Sequence, residues 1–280
     1  MPIRMVESKQ NARLKELRRA LAAPCAGESG PMGSARGLVG SARGLVGIEG
    51  PNLLQEALRA GLRISAVFVA QGSEGLLDAL HVGPETEILR LPRKLLNSAL
   101  ATETPQPVAA LVEPPAWSWN RLLSQDQGKS LIVVLAGLQD PGNLGTILRS
   151  AEAFGASGVV SLPGTVSPWN QKAVRASAGS VFRVPLVAAD PQECFSRLRE
   201  AGVKVFTTAI RTAKPADLVN FTGAVALLIG NEGSGVPEQI ASQADGAITI
   251  PCPGPVESLN AAIAAAVLLY EAARQRRGTR

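Results

Sequence analysis

The sequence is poor in aromatic residues, histidine and cysteine. Aromatics make up 4% of its 280 residues, with a single tyrosine, which argues against a stacking platform for single-stranded nucleic acid. The one histidine, His81, falls in a loop between expected elements and is read as a surface residue. Three cysteines, Cys25, Cys194 and Cys252, are scattered without a C-x-x-C. They make no disulfide framework and fit a reducing compartment, with the cytoplasm expected and no metal site. No apolar run approaches the roughly 20 residues of a membrane span; AAIAAAVLLY (261–270) is far too short. The opening MPIRMVESKQ is charged and lacks the apolar segment of a secretory signal. No P-loop pattern occurs. The only glycine-rich turn comes late in its domain, with the wrong spacing for a dinucleotide fingerprint, which argues against a kinase or a nicotinamide enzyme.

A hydrophobic content of 46% supports a real core, and a net charge of +5 with a pI near 9.4 favours a polyanionic partner. Residues 6–23 read as a basic amphipathic helix, with Leu14, Leu17 and Leu21 at helical spacing among Lys9, Arg13, Lys15, Arg18 and Arg19. It is either a solvated helix face or an RNA contact. GSARGLV then occurs twice in tandem, at 33–39 and 40–46. A repeat this short is no solenoid unit, and it reads as an expanded loop. From Pro51 onward, helices alternate with the strands 66–70 and 87–92 and a strand within 102–115, with a polar helix expected at 74–80. This is the pattern of a small α/β domain, 1–113. Residues 114–128 are a linker, whose Trp117 and Trp119 are expected to pack between domains.

The second domain, 129–280, opens on the apolar strand LIVVLAGL (131–138), and a helix follows over 140–156. Further strands are expected at 158–163, 181–187, 203–210, 224–229 and 247–250, alternating with helices. Five or six parallel strands make an open doubly wound sheet, whose ligand site lies at the carboxyl ends of the strands. Gly230, Gly233 and Gly235 allow a sharp turn and close approach to a ligand. Pro251, Pro253 and Pro255 stiffen the next loop, and Ser258 is expected to cap the closing helix.

Three segments in this domain carry a resemblance: NLGTILR (143–149), GNEGSG (230–235) and IPCPGPVESLN (250–260). In that order, each at an expected strand end, they resemble the motifs of the SpoU/TrmH family of RNA ribose 2′-O-methyltransferases, within the SPOUT superfamily. The resemblance implies a deep trefoil knot threaded by the closing helix, and a homodimer paired through it. It implies S-adenosylmethionine as donor, bound at Gly230, Ile250 and Leu259, with Leu228 and Pro251 as further walls. A tryptophan at Gly230 is expected to fill the donor space without unfolding the chain. The ETPQPVAA stretch (103–110) resembles the substrate-binding domain that precedes many such enzymes, a relative of kink-turn-binding ribosomal proteins.

Methylating a ribose hydroxyl needs a bound donor, a positioned 2′-OH, removal of its proton and exclusion of water. Among the polar motif residues, the resemblance makes Arg149 the base. Arginine has a pKa above about 12 and holds its proton, so the choice stays open between a base of lowered pKa and an electrostatic clamp. Ser258 and Asn260 are expected to hold the ribose and adjacent phosphate, Asn143 to start the helix carrying Arg149, and Glu232 to orient Arg149 or the glycine-rich loop. Cys252 has no histidine near it in sequence and reads as a small wall residue. The implied activity is 2′-O-methylation of structured RNA, ribosomal RNA ahead of transfer RNA. The alternative is an RNA-binding protein that keeps the fold with little or no activity.

Overall fold

A computed structural model describes residues 3–22, 44–78, 80–100, 102–123, 128–209, 213–256 and 258–277. Cys25 and most of the GSARGLV duplication lie outside them. The first part of the chain runs β1 (Ile3–Met5), α1 (Ala12–Leu21), β2 (Val46–Glu49), α2 (Pro51–Arg59), β3 (Ile64–Ala70), β4 (Glu87–Leu91), α3 (Arg93–Asn97) and β5 (Val108–Val112). Its sheet has the order β1-β4-β3-β5-β2, with β5 antiparallel to both neighbours. Helix α1 starts six residues later than its periodicity predicts. The Asn11 side chain accepts from the amides of Arg13 and Leu14, and that cap fixes the start. The helix expected at 74–80 shrinks to a 3₁₀ turn, Glu74–Leu77, with no buried residue to hold it longer.

The second part runs α4 (Trp119–Leu123), β6 (Leu131–Leu135), α5 (Pro141–Ala153), β7 (Gly158–Ser161), α6 (Gln171–Ser177), β8 (Leu186–Ala188) and α7 (Pro191–Glu200). It continues through β9 (Lys204–Thr208), β10 (Lys214–Pro215), β11 (Val225–Ile229), α8 (Glu238–Ala241), β12 (Gly246–Thr249) and α9 (Ala261–Arg277). Seven parallel strands take the order β10-β12-β9-β11-β6-β7-β8. That is more than the five or six expected, because Lys214–Pro215 adds a two-residue edge strand. The strand expected at 181–187 divides into a 3₁₀ turn, Ser180–Phe182, and β8. Chain order reverses between β6 and β11, so the crevice at their carboxyl ends is the topological switch point.

The two parts share one apolar cluster. Ile48, Leu54 and Val67 belong to it together with Leu131, Ile147 and Leu227. Polar contacts reinforce the junction. Arg183 reaches Glu56 of α2 at 2.7 Å and also holds Glu152 of α5, while Gln171 donates to the Gly47 carbonyl at 2.8 Å. The linker tryptophans lie against the second part. Trp119 donates to Glu193 at 3.0 Å, and Trp117 lines a small crevice with Trp169 and Val181. Helices α5 and α6 touch at Gly145, where a Cβ would overlap the Ala173 carbonyl and the Ser177 amide. Near the C-terminus, the Arg276 guanidinium donates to the carbonyls of Lys129, Ser130, Phe221 and Gly223, binding the starts of β6 and β11.

Candidate functional site

Three loops meet at the switch point: the turn into α5, the glycine-rich loop after β11 and the proline-rich loop before α9. Asp140 sets the first. Its Oδ1 accepts from the Asn143 amide at 2.8 Å, while Lys172 of α6 donates to Oδ2 at 2.8 Å. The Lys172 hydrogen bond, with the cap amides, holds the Asp140 carboxyl below its ordinary range.

The Asn143 side chain lies between the other two loops. Its Nδ2 donates to Glu232 Oε1 at 2.7 Å, and its Oδ1 accepts from Asn260 Nδ2 at 3.1 Å. Asn260 Oδ1 in turn accepts from the amides of Ala262 and Ile263 at 2.9 and 3.3 Å. Asn260 is therefore the cap of α9, and the expectation for Ser258 is corrected. The helix begins at Ala261, so the capping position is the residue immediately before it. Glu232 pairs with Asn143 rather than with Arg149. Arg149 lies exposed two turns along α5, and no hydrogen bond or ion pair holds its guanidinium among the described residues.

Beside this junction is a cleft of about 1010 Å³. Gly230, Ile250, Leu259, Pro251, Ser258, Cys252 and Glu232 line it, with Leu268 of α9 at its floor. Leu228 does not line it. Strand alternation turns Leu228, fully buried, to the other face of the sheet with Val205 and Leu198, and Ile229 faces the cleft instead. The expected result of a tryptophan at Gly230 also changes. Gly230 is buried, and a Cβ there would overlap the backbone of Gly235 and Val236. Any side chain at 230 breaks the loop before it reaches a ligand.

Asp140 and Lys172 lie outside the three motif segments, although Asp-Pro ahead of an apolar helix is a legible cap signal. His81 is exposed, as expected. Cys194 is buried in the α7 core, which pushes its thiol up to about 12, whereas Cys252 is exposed on the cleft wall. Among the described residues no cluster of His, Cys, Asp or Glu suits a metal, and no helix is long and apolar enough to cross a membrane.

The cleft suits a nucleoside-sized ligand. Its volume is at the upper end of the roughly 300–1,000 Å³ usual for small-molecule sites. Known proteins similar to this chain fall in one family. Residues 130–270 match the family described as SpoU rRNA methylase, and residues 48–118 match the RNA 2′-O ribose methyltransferase substrate-binding domain. The chain is 33% identical over 223 residues to the 23S rRNA (guanosine(2553)-2′-O)-methyltransferase RlmP of Bacillus subtilis, covering 80% of this chain and 86% of that one. It is 37% identical over 166 residues to the 23S rRNA (guanosine-2′-O-)-methyltransferase RlmB of Xanthomonas campestris, covering 58% and 67%. Among solved structures, the SpoU methyltransferase AviRb of Streptomyces viridochromogenes in complex with AdoMet superposes with a TM-score of 0.80 at 28% identity, covering 97% of this chain and all of that one. An AdoMet-bound rRNA methyltransferase from Sinorhizobium meliloti gives 0.79 at 29% identity, covering 97% and 98%.

Proposed function

Because the chain belongs to the SpoU rRNA methylase family, we propose that it is an S-adenosylmethionine-dependent enzyme methylating a ribose 2′-hydroxyl of ribosomal RNA. The observation that carries this reading is the junction of Glu232, Asn143 and Asn260 at the mouth of a nucleoside-sized cleft. Gly230, Ile250 and Leu259 are the donor-binding residues, with Pro251 and Ile229 as walls. The donor, when bound, supplies a methyl group activated by its sulfonium.

The chain's own residues then have separate tasks. Asn143 and Asn260 hold each other's amides in one orientation, so exposed groups at the cleft mouth are preset for the ribose and its phosphate. Ser258, exposed on the wall, offers a further hydroxyl to the same ribose. Arg149 serves as a clamp: a guanidinium without a carboxylate partner is free to hold the oxygen that loses its proton and the adjacent phosphate.

We further propose a division into an RNA-binding part, 1–113, a linker, 114–128, and a methyltransferase part, 129–280, with α9 threaded as in a trefoil knot. An RNA contact by the first part is supported by α1. Among the described residues, Lys15 and Arg19 stand exposed on its crest without a carboxylate partner, and the Arg18 guanidinium donates to Ser98, the residue just past α3, beside the exposed Lys94. A homodimer is supported by α9. Ala262, Ala265, Leu268 and Ala272 face inward, leaving Ile263, Val267 and Tyr270 as an outward stripe, 54%, 41% and 48% exposed. A symmetric partner would cover such a stripe.

The test is methyl transfer from a tritiated donor to ribosomal RNA taken from cells lacking the gene, with the modified nucleotide mapped. Incorporation at one ribose supports the reading. Donor binding without incorporation into ribosomal or transfer RNA favours an RNA-binding protein that has kept the fold.

A further inference from the structure

The glycine-rich loop of the cleft is held by a side chain that the proposed chemistry leaves unassigned. Residues 231–235 close on themselves: the amide of Asn231 donates to the Gly235 carbonyl and the amide of Gly235 to the Asn231 carbonyl, each at 2.9 Å. Gly235 takes a φ of +68°, which a glycine adopts without strain. Inside the ring, Asn231 Oδ1 accepts from the Gly233 amide at 2.8 Å and, at a longer 3.4 Å, from that of Ser234. The same carboxamide turns its Nδ2 outward to the Gly137 carbonyl, just past the end of β6, at 2.9 Å. One side chain thus folds the loop with its oxygen and fastens it to the neighbouring strand's exit with its nitrogen.

Two parts of the site depend on that fastening. Gly230, immediately before Asn231, already packs against the backbone of Gly235 and Val236, so the loop cannot shift without moving a donor wall. Glu232, immediately after, meets Asn143. We propose that Asn231 is a positioning residue of the methyl transfer: its amide donor to Gly137 fixes the donor-binding loop and, through it, the carboxylate of Glu232. This rests on the methyltransferase reading and deepens it. Asparagine is the side chain the geometry requires, since it presents one acceptor and one donor at the same planar group.

The test separates the two halves of the carboxamide. Asn231→Asp keeps the acceptor for Gly233 but turns a second oxygen toward the Gly137 carbonyl, and Asn231→Ala removes both. Affinity for S-adenosylmethionine is read by calorimetry at pH 8 and pH 5.5, alongside donor KM, kcat and the urea midpoint. Asn231→Asp is expected to lose about tenfold in donor affinity at pH 8, the equivalent of one hydrogen bond. It should recover part of that at pH 5.5, because a carboxylate oxygen held against the Gly137 carbonyl has its pKa raised above the ordinary value of about 3.9, and its protonated form returns a donor to Gly137. Asn231→Ala should lose at least as much at both pH values. Wild-type affinity for Asn231→Asp at pH 8 overturns the proposal. So does a loss that acid leaves unchanged and that follows a falling urea midpoint, because the side chain would then only support the fold. If wild-type protein itself fails to bind the donor, the methyltransferase reading fails instead.

Discussion

Asn260 donates to Asn143 at 3.1 Å across 117 positions of sequence, and the same side chain caps α9. The start of one helix is thereby fixed to the start of another, with Glu232 on the far side of Asn143. Removing the middle member should separate binding from turnover. Asn143→Ala is expected to lower kcat by about a hundredfold, a scale typical of lost positioning, while donor affinity stays within a few-fold. Single-turnover kinetics with calorimetry on the same preparation checks it. An unchanged kcat would mean that the junction is only structural.

Among the described residues no hydrogen bond or ion pair holds the exposed Arg149 side chain, so its loss should leave the fold largely undisturbed. Arg149→Ala should reduce methyl transfer by about a thousandfold, the upper range for removing one charge-stabilising donor, with donor binding and oligomeric state intact. Arg149→Lys keeps the charge but loses the planar fork, and should recover only a small part. Near-normal turnover of the alanine variant would place the clamp elsewhere.

The Arg183 network makes a pH prediction. The hydrogen bond from Arg183 holds Glu152 below its ordinary 4.5, and for Glu56 the bonds from Arg183 and Arg59 outweigh an opposing push from burial. Both folded values lie below the unfolded ones, so the unfolded chain binds more protons in that window. The stabilisation is therefore fully present above about pH 5 and is lost as pH falls through the folded values. Arg183→Gln should cost roughly 1–2 kcal/mol at neutral pH, as expected for charge-assisted hydrogen bonds at a partly exposed site. The gap from wild type should close in acid. Urea melts at pH 7 and pH 3.5 measure it, and a gap constant with pH would contradict the assignment.

The outward stripe on α9 predicts the assembly. Ile263→Glu combined with Val267→Glu puts two charges where an apolar contact is proposed, at positions already solvent-exposed in a single chain. Sedimentation should show wild-type dimers and variant monomers, with donor affinity in the variant as a check on folding. A variant that remains dimeric would move the interface to another face.

Much of the fold was legible because local physics fixed it. The apolar run from Leu131 reads as a strand covered on both sides, and β6 occupies its first five residues; the helix expected over 140–156 forms as α5. Where the reading slipped, the deciding interaction came from elsewhere in the chain. Ser258 and Asn260 are both chemically suitable caps, and only the position of α9 against α5 and β11 selects Asn260. Leu228 and Ile229 are equally apolar, and the sheet's pleat alone decides which faces the cleft. Three motif residues, Asn143, Glu232 and Asn260, do meet in space, but their pairing could not be read from spacing. An Asn143–Glu232 contact and an Arg149–Glu232 contact are equally consistent with the sequence. Asn231 carries no mark in the sequence, since an asparagine between a glycine and a glutamate in a turn has no periodicity.

The Arg276 clasp has a consequence for the order in which the molecule is made. The adjacent central strands β6 and β11 begin at residues 131 and 225, and the side chain closing their starts comes at 276. A nascent chain carrying the whole of β6 still lacks its partner strand, and when β11 emerges the clasping arginine is still within the ribosome. In the second part, β6 and β11 can pair side by side before Arg276 is available, and their starts are closed only once that residue has emerged.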